Sequence, residues 1–399
     1  MNRGFRNICN EEKLGVIHVA LNPQTGPWSV MRDLALAQAR SGIYGKVAIG
    51  VIYDVSWPAR YRDEALASGL PFFSFETPKL FGTASFLLQR VIRAPIEDWV
   101  KDVAENGWLE NVVVHFHNAW MSGVFLPLKD STSTGIRVVV TVHGVNAFLR
   151  GKPIRFALHK WMAGRLLKYP VCLTSVDHAN LKRAESEFGL PPRLFTVIPN
   201  GVTSSVQRGC HYQHEGGGDR LTLAHVGSIT PQKGWRVTAE AVVEAAAAGC
   251  LCRLVIAGTG PEEEQAKAFA TANRGCIEFR GHVVNPRDTL MPKVDVLCLL
   301  SDHEGLPMSI IEAMSVGLPV IATDVGGVSE AVSHEVTGYL IPKSRDALVN
   351  LIVKLSSDRQ TLGRLSQQAL RVFSERFEII RIVERFNDVY RDAFQTNYV

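Results

Sequence analysis

Short apolar runs bounded by turn residues recur along most of the chain. Runs of this kind, rich in Val, Ile and Leu, are typical of strands buried on both faces of a parallel sheet. Segments long enough for helices separate the runs, and this alternation predicts an α/β protein with doubly wound sheets. The predicted strands lie at 15–21, 46–52, 71–75, 111–116, 136–142, 172–175, 221–227, 254–257, 294–300, 320–323 and 338–341.

The alternation is interrupted at 204–219, where three consecutive glycines and polar residues replace the periodic pattern. Such a composition is typical of an exposed linker, and a chain of 399 residues is long enough for two domains. We therefore predict an N-terminal domain at 1–203, a linker at 204–219 and a C-terminal domain at 220–376. An amphipathic helical pattern follows at 377–399, and periodicity alone leaves open the domain on which this helix packs.

The stretch from Ser301 to Met314 carries the most specific chemical pattern of the chain. It follows a buried strand, and Pro307 suits the first position of the helix that comes next. The amides of residues 308–310 would then point out of the helix, where the positive end of its dipole favours phosphate. Glu304 and Glu312 flank this anion site, and two carboxylates beside phosphate are expected to bind sugar hydroxyls.

The two glutamates, separated by seven residues, with Gly-Leu-Pro after the first and Ala-Met after the second, resemble the signature of glycosyltransferase family 4. This resemblance implies a GT-B fold, in which two Rossmann-like domains face a cleft, and a retaining enzyme that uses a nucleotide sugar. It also implies that the final helix crosses back onto the first domain, which would bind the acceptor. Glu304 would contact the donor sugar and Glu312 the ribose, while the diphosphate would bind Gly305, Leu306, Pro307, Met308 and Ser309.

Other segments extend the resemblance to the donor site. Lys233 ends a loop that is similar to the family's Gly-x-x-x-x-x-Lys-Gly loop, which implies that its ammonium neutralises the donor diphosphate. Ser228 stands where many relatives have Arg, and its hydroxyl can still donate a hydrogen bond. Gly258 and Val283 follow strands and are expected beside the nucleotide, and Gly26 lies in the first strand-to-helix loop, where a ligand can approach.

Histidines follow two neighbouring strands of the first domain. His143 resembles the family histidine beside the transferred sugar, so we expect it to act with Glu304 and Lys233 as a catalytic residue. His117 and Asn118 are expected to contact the acceptor. A metal bound by His115 and His117 is not expected, since no third ligand is evident nearby. No Asp-x-Asp follows a strand, so we expect a metal-independent enzyme without a cofactor.

Composition and charge restrict the setting. Apolar residues make up 46% of the chain, no run of about 18 apolar residues occurs, and residues 1–13 lack the apolar core of a signal peptide, so a cytoplasmic globular protein is expected. Seven cysteines without a C-x-x-C pair fit reduced thiols. Residues 1–200 hold 23 Lys and Arg against 16 Asp and Glu. This basic half includes the helical segment 152–168, which would suit peripheral contact with an anionic membrane. No nucleic-acid motif is present.

The predicted reaction is sugar transfer from a nucleoside-diphosphate sugar to a hydroxyl of a saccharide or lipid-linked saccharide, in the synthesis of a surface polysaccharide or glycoconjugate. Alternatives are a non-catalytic nucleotide-sugar binder or scaffold, because Ser228 replaces Arg and Gly26-Pro27 replaces paired glycines, and a GT-B epimerase or inverting transferase. A dinucleotide dehydrogenase would rest on Gly258-Thr259-Gly260 alone. The sequence leaves open the nucleotide, the sugar, the acceptor, the linkage and the oligomeric state.

Overall fold

The chain folds into two compact units, each with its own parallel sheet. The first unit comprises Met1–Pro199 and Ile379–Val399, and the second comprises Asn200–Glu378. The predicted linker lies outside the described residues except for Ser204, and so does most of the basic segment 152–168. This computed structural model describes residues 14–21, 25–54, 59–77, 111–117, 135–143, 157, 160, 161, 164, 171–204 and 220–395.

The sheet of the first unit confirms the predicted parallel strands. In chain order these are β1 (Gly15–Leu21), β2 (Lys46–Asp54), β3 (Phe72–Thr77), β4 (Val112–His117), β5 (Ile136–Val142) and β6 (Val171–Ser175). A further strand, β7 (Phe195–Val197), was not predicted. They pair in the order β3-β2-β1-β4-β5-β6-β7. The order changes direction between β1 and β4, which is where doubly wound sheets bind ligands beyond the carboxyl ends of their strands.

Helices cover this sheet, and the core lies between them and the strands. Those whose bounds lie within the described residues are α1 (Thr25–Ser41), α2 (Ala59–Ala67), α3 (His178–Phe188) and the C-terminal helix (Ile379–Gln395). Val383, Phe386 and Tyr390 of the C-terminal helix recur at helical spacing and are buried in the same core cluster as Val113 and Val139 of the sheet. Each such side chain contributes about 1.5–3 kcal/mol of burial free energy, so this helix is part of the first unit's core.

Two local expectations for the first unit are wrong. Helix α1 begins at Thr25, so Gly26 and Pro27 belong to its first turn and not to a loop. Proline is tolerated there because the first amides of a helix have no intrahelical acceptor. The sequence also predicts that Ser175 caps the helix that follows it, whereas α3 is capped by Asp177, whose carboxylate accepts the amide of Asn180. The hydroxyl of Ser175 instead donates to the carbonyl of Asp177.

The second unit also has the predicted parallel sheet. Its strands are β8 (Leu221–Val226), β9 (Cys252–Ala257), β10 (Ile277–Gly281), β11 (Val296–Leu299), β12 (Val320–Ala322) and β13 (Gly338–Leu340), in the order β10-β9-β8-β11-β12-β13. Because β8 and β11 are neighbours, the loops that follow them leave the same edge of the sheet. The helices are α4 (Trp235–Ala247), α5 (Glu263–Ala272), α6 (Pro286–Thr289), α7 (Met308–Ser315), α8 (Val328–Ala331), α9 (Arg345–Ser356) and α10 (Arg359–Arg376).

No helix in the described part of the chain combines the length and the apolar character needed to span a bilayer.

Candidate functional site

The start of α7 presents two backbone amides at the edge of the second sheet. Pro307 is the N-cap of this helix, with φ −68° and ψ 127°. Its carbonyl already accepts the amide of Ile310 at 3.2 Å. Sequence reasoning placed Pro307 inside the helix with three outward amides, and this is wrong because the extended ψ of Pro307 makes it the capping residue. Among the described residues, no backbone acceptor is hydrogen-bonded to the amides of Met308 and Ser309.

The structure brings Glu304 and Lys233 together. Glu304 Oε1 accepts from Lys233 Nζ at 2.6 Å and from Ser301 Oγ at 2.6 Å. The carboxylate is the more buried partner, with 8% of its side chain exposed against 29% for Lys233. The pair occupies one of the three N–H donors of the ammonium. Lys233 can therefore bind a second anion while it remains paired with Glu304.

The position of Lys233 is fixed by close packing of the residue that follows it. Gly234 has φ +70°, and a Cβ there would lie 2.1 Å from the carbonyl oxygen of Leu300. Only glycine tolerates both the left-handed conformation and this approach. In addition, the amide of Asp302 donates to the carbonyl of Gln232 at 2.8 Å. The loop after β8 is thus held against the end of β11, which explains why residues 71 positions apart form an ion pair.

A turn after β12 supports the backbone of Glu304. Gly326 has φ +59°, and a Cβ there would lie 1.8 Å from the carbonyl oxygen of Glu304. The amide of Gly327 donates to the carbonyl of Gly305 at 3.1 Å. The hydroxyl of Thr323 donates to the carbonyl of Ser301 at 2.6 Å. These contacts hold the loop that carries Glu304 at three points.

The other residues of the second unit predicted to bind the donor lie around the same sheet edge, whereas Gly26 lies in α1 of the first unit. Gly258 packs so closely on the loop after β8 that a Cβ would lie 1.8 Å from the carbonyl oxygen of Gly227. Ser228 is exposed in that loop, Val283 follows β10, and Glu312 is half-buried in the second turn of α7. Gly258 thus has a packing reason to be glycine, separate from any contact with a ligand.

A cavity of about 550 Å³ in the second unit lies beside the loop that carries Glu304. Ser301, Asp302 and Lys343 line it, together with residues that follow β12 and β13. Asp302 and Lys343 form an ion pair at 2.8 Å. Sequence reasoning did not identify this cavity, because its walls come from three separate strand ends.

In the first unit, His143 is the residue after β5 and lies over a buried histidine. His117, the last residue of β4, is 2% exposed, and its Nδ1 is 2.8 Å from Nε2 of His143. Sequence reasoning gave these two residues separate contacts, with the transferred sugar and with the acceptor. The structure joins them in one hydrogen bond. Asn118, the other predicted acceptor contact, lies outside the described residues.

The hydrogen bonds continue from His117 into the core. His18 Nδ1 is 3.0 Å from His117 Nε2, and His18 Nε2 is 2.7 Å from Gln38 Oε1. Sequence reasoning missed His18 and Gln38. The available signal was a histidine at the centre of the apolar strand β1, opposite His115 in the sheet register.

A second branch starts from the same glutamine. Gln38 Nε2 donates to the hydroxyl of Tyr390 at 3.3 Å, and this hydroxyl is 2.7 Å from His115 Nδ1. His115 Nε2 is 2.6 Å from Thr141 Oγ1. Except for the half-buried His143, every residue of the two branches is buried. We call the residues of both branches the histidine chain: Gln38, His18, His117, His143, Tyr390, His115 and Thr141.

Burial keeps the inner rings of the histidine chain neutral. Burial lowers the pKa of His18 to about 4, and the hydrogen bond that His18 donates to Gln38 raises this pKa by a smaller amount. Burial, followed by the neighbouring histidines, lowers the pKa of His115 and His117 well below the usual range. At neutral pH each of these rings therefore has one N–H donor and one acceptor nitrogen.

The expectation that no third potential metal ligand lies near His115 and His117 is wrong. Sequence reasoning found no third ligand near His115 and His117, whereas His18 brings a ring nitrogen within 4.8 Å of both. The rings of His115 and His117 are nevertheless stacked, with centroids 4.2 Å apart and planes inclined by 30°. A bound ion lies close to the plane of each imidazole, about 2 Å from its nitrogen, and stacked rings do not converge on such a point. The arrangement fits a hydrogen-bonded chain better than a cation site.

Comparisons with known protein families divide the chain in the same way as its fold. The model of the glycosyl transferase 4-like domain matches residues 25–201, and the model of glycosyl transferases group 1 matches residues 220–358. Together these two matches cover most of both units.

Two curated relatives are glycosyltransferases by name. The 2-deoxystreptamine glucosyltransferase of Streptomyces kanamyceticus is 29% identical over 217 residues, which cover 51% of this chain and 54% of that protein. The UDP-Gal:alpha-D-GlcNAc-diphosphoundecaprenol alpha-1,3-galactosyltransferase of Escherichia coli is 26% identical over 298 residues, or 70% of this chain and 75% of that protein. The match therefore spans about half the length of the first relative and three quarters of the second.

Solved structures share the fold over nearly the whole chain. HepE of Anabaena, solved in complex with UDP, superposes with a TM-score of 0.72 at 18% identity and covers 95% of this chain and all of its own. Sucrose-phosphate synthase of Thermosynechococcus elongatus gives a TM-score of 0.69 at 18% identity, with 96% of this chain and 100% of that one covered. The fold is thus the GT-B fold predicted from the sequence.

Proposed function

Because the chain belongs to the glycosyltransferases that join a 4-like domain to a group 1 domain, we propose that it transfers a sugar from a nucleoside-diphosphate sugar to a hydroxyl of a saccharide or lipid-linked saccharide. The configuration at the anomeric carbon is retained. The observation that carries this proposal is the ion pair that Lys233, from the loop after β8, forms with Glu304, from the loop that leads into α7.

The second unit has the groups that a sugar diphosphate requires. The ammonium of Lys233 and the amides of Met308 and Ser309 supply positive charge and donors for the diphosphate. Glu304 accepts hydroxyls of the donor sugar, and Glu312 accepts those of the ribose. Ser228 adds a neutral donor where an Arg would add a second charge, so the developing charge on the leaving phosphate depends mainly on Lys233 and the amides.

The chemical step requires no attack by the protein on the sugar. The bond from the anomeric carbon to the phosphate oxygen breaks, and a bond to the acceptor oxygen forms on the same face. The proton of the acceptor hydroxyl passes to the departing phosphate. Glu304 Oε1 already accepts two hydrogen bonds, from Lys233 and Ser301, which favours a binding role over a nucleophilic one. The protein then contributes positioning and charge stabilisation.

The names of similar proteins suggest which donor to test first. HepE was solved with UDP and with UDP-glucose, and the Escherichia coli relative is named for UDP-Gal and a diphosphoundecaprenol acceptor. A UDP-sugar and a lipid-linked saccharide are therefore the first substrates we propose, within surface-polysaccharide or glycoconjugate synthesis. The basic segment 152–168 is proposed to contact the membrane that holds such an acceptor.

The donor is tested by thermal shift with UDP, GDP and ADP and their hexose derivatives, since a ligand that binds only the folded state raises its melting temperature. We expect a rise with UDP, and a product whose anomeric configuration, read by NMR, equals that of the donor. An inverted product would support the inverting alternative. A change of configuration in the donor sugar without transfer would support the epimerase. Binding without turnover on any acceptor would support the scaffold.

Transfer is expected to be independent of metal ions, because Lys233 and the α7 amides supply the charge that Mg²⁺ supplies elsewhere. The rate should change by less than about twofold on addition of EDTA. A complete loss of transfer that Mg²⁺ restores would contradict this expectation.

A further inference from the structure

We infer that Gln38 fixes the tautomer of His143 through the histidine chain, so that His143 donates its Nε2 hydrogen inward and has Nδ1 as its acceptor nitrogen. Gln38, His18 and His117 are then positioning residues for His143. The catalytic consequence rests on the proposed function, whereas the tautomer itself is independent of it.

Each residue of the first branch fixes whether its neighbour donates or accepts a hydrogen. The amide oxygen of Gln38 is only an acceptor, so His18 Nε2, 2.7 Å away, carries a hydrogen. A neutral ring has one N–H, so His18 Nδ1 accepts, and His117 Nε2 at 3.0 Å is the donor. By the same rule His117 Nδ1 accepts from Nε2 of His143 at 2.8 Å. A neutral His143 therefore has its lone pair on Nδ1.

The second branch supports the same orientation of the amide. Gln38 Nε2 lies 3.3 Å from the hydroxyl of Tyr390, a length closer to that of an N–H···O bond than to the usual 2.7–2.8 Å of an O–H···O bond. The amide nitrogen thus faces Tyr390, and its oxygen faces His18. The Tyr390 hydroxyl is then able to donate to His115 Nδ1 at 2.7 Å, and His115 Nε2 to Thr141.

Because the inner residues of the histidine chain are buried, water cannot replace any of their hydrogen-bond partners. His18, Gln38 and His115 have no exposed surface, and His117 is 2% exposed. Each inner ring is restricted to one donor because burial disfavours its charged form. Reversing one hydrogen bond requires every other bond of its branch to reverse, so the orientation of one amide is transmitted along the branch.

The consequence for transfer concerns which partner His143 recognises. At a substrate, a histidine whose Nδ1 is an acceptor takes a hydrogen bond from a hydroxyl, whereas the opposite tautomer would donate to an oxygen. Gln38 selects between these modes from the core of the first unit, on the face of the sheet covered by α1 and the C-terminal helix.

The tautomer is measured by long-range ¹H–¹⁵N NMR on full-length protein labelled at its 12 histidines, with the His143 signal assigned from its loss in His143→Gln. We expect His143 to show the Nε2–H tautomer in the wild type. In Gln38→Met the acceptor is lost, and His143 should become a mixture of tautomers. Gln360→Met, at an exposed glutamine of α10, is the matched control and should leave the signal unchanged.

A wild-type His143 with its hydrogen on Nδ1 would overturn the inference, and so would a folded Gln38→Met with an unchanged signal. Because the wild-type spectrum already tests the tautomer, failure of Gln38→Met to fold does not leave it untested. If transfer is established, Gln38→Met should also lower kcat at least tenfold, with less than threefold change in KM for the donor. Absence of transfer with the expected spectrum would reject the proposed function and leave this inference standing.

Discussion

Replacing Lys233 with Ala is expected to lower kcat for sugar transfer at least tenfold, which corresponds to about 1.4 kcal/mol of barrier. The ammonium is assigned to the leaving diphosphate and is also the partner of Glu304 at 2.6 Å. Its removal leaves a carboxylate that is only 8% exposed without its counter-charge, beside a second anion. Glu304→Ala should lower kcat by at least the same factor, because it removes the contact with the donor sugar. Steady-state kinetics at saturating donor measure both losses.

Two further variants show whether the loss of kcat is specific to the Lys233–Glu304 pair or follows from removing any lysine charge. Lys343→Ala breaks a comparable ion pair, in which Lys343 lies 2.8 Å from Asp302. The side chain of Lys343 is 25% exposed, against 29% for Lys233. This variant should change kcat less than twofold. In the double variant of Lys233 and Glu304, kcat should fall by a smaller factor than the product of the two single-variant factors, since the effects of substituting residues in contact are not additive. Normal turnover in either single variant would remove the site assignment.

The second large effect is expected from Gly326→Ala, which changes no charged group. The added Cβ would lie 1.8 Å from the carbonyl oxygen of Glu304, and the φ of +59° adds strain for any L side chain. The loop that carries Glu304 must move to relieve the overlap. We expect kcat to fall at least tenfold and the free energy of unfolding to fall by about 3 kcal/mol, in the range of severe backbone and packing defects.

Gly249→Ala is the matched control for this variant. Gly249 also has a positive φ, +89°, but a Cβ there would meet nothing within 4 Å. Gly249→Ala should therefore lower the free energy of unfolding only by the backbone strain, about 1–2 kcal/mol, and leave kcat unchanged. Denaturant unfolding and kinetics on both variants make the comparison. Equal behaviour of the two variants would show that the turn after β12 does not support Glu304.

The strands were predictable from the sequence because both sheets are parallel and buried, so each strand remains a continuous apolar run. β1 and β5 begin and end at the predicted residues. The helix starts were less predictable, because proline is accepted both as a cap and inside the first turn. Pro307 is thus the N-cap of α7, whereas Pro27 is the third residue of α1.

The candidate site was predictable only where a local pattern marks it. Glu304 and Lys233 each lie in a recognisable loop, but their contact depends on the pairing of β8 with β11, which no local pattern reveals. The histidine chain depends on still longer separations. His18 and His117 are 99 residues apart, and Gln38 and Tyr390 are 352 residues apart. Single polar residues within apolar segments give no sign that they meet in one network.

The most direct test of the donor site is a crystal structure of the full chain with a bound nucleoside diphosphate, UDP first. The account predicts diphosphate oxygens within hydrogen-bond distance of Lys233 Nζ and of the amides of Met308 and Ser309. A diphosphate bound elsewhere, for instance against the turn at 258–260, with Lys233 still paired only with Glu304, would contradict it.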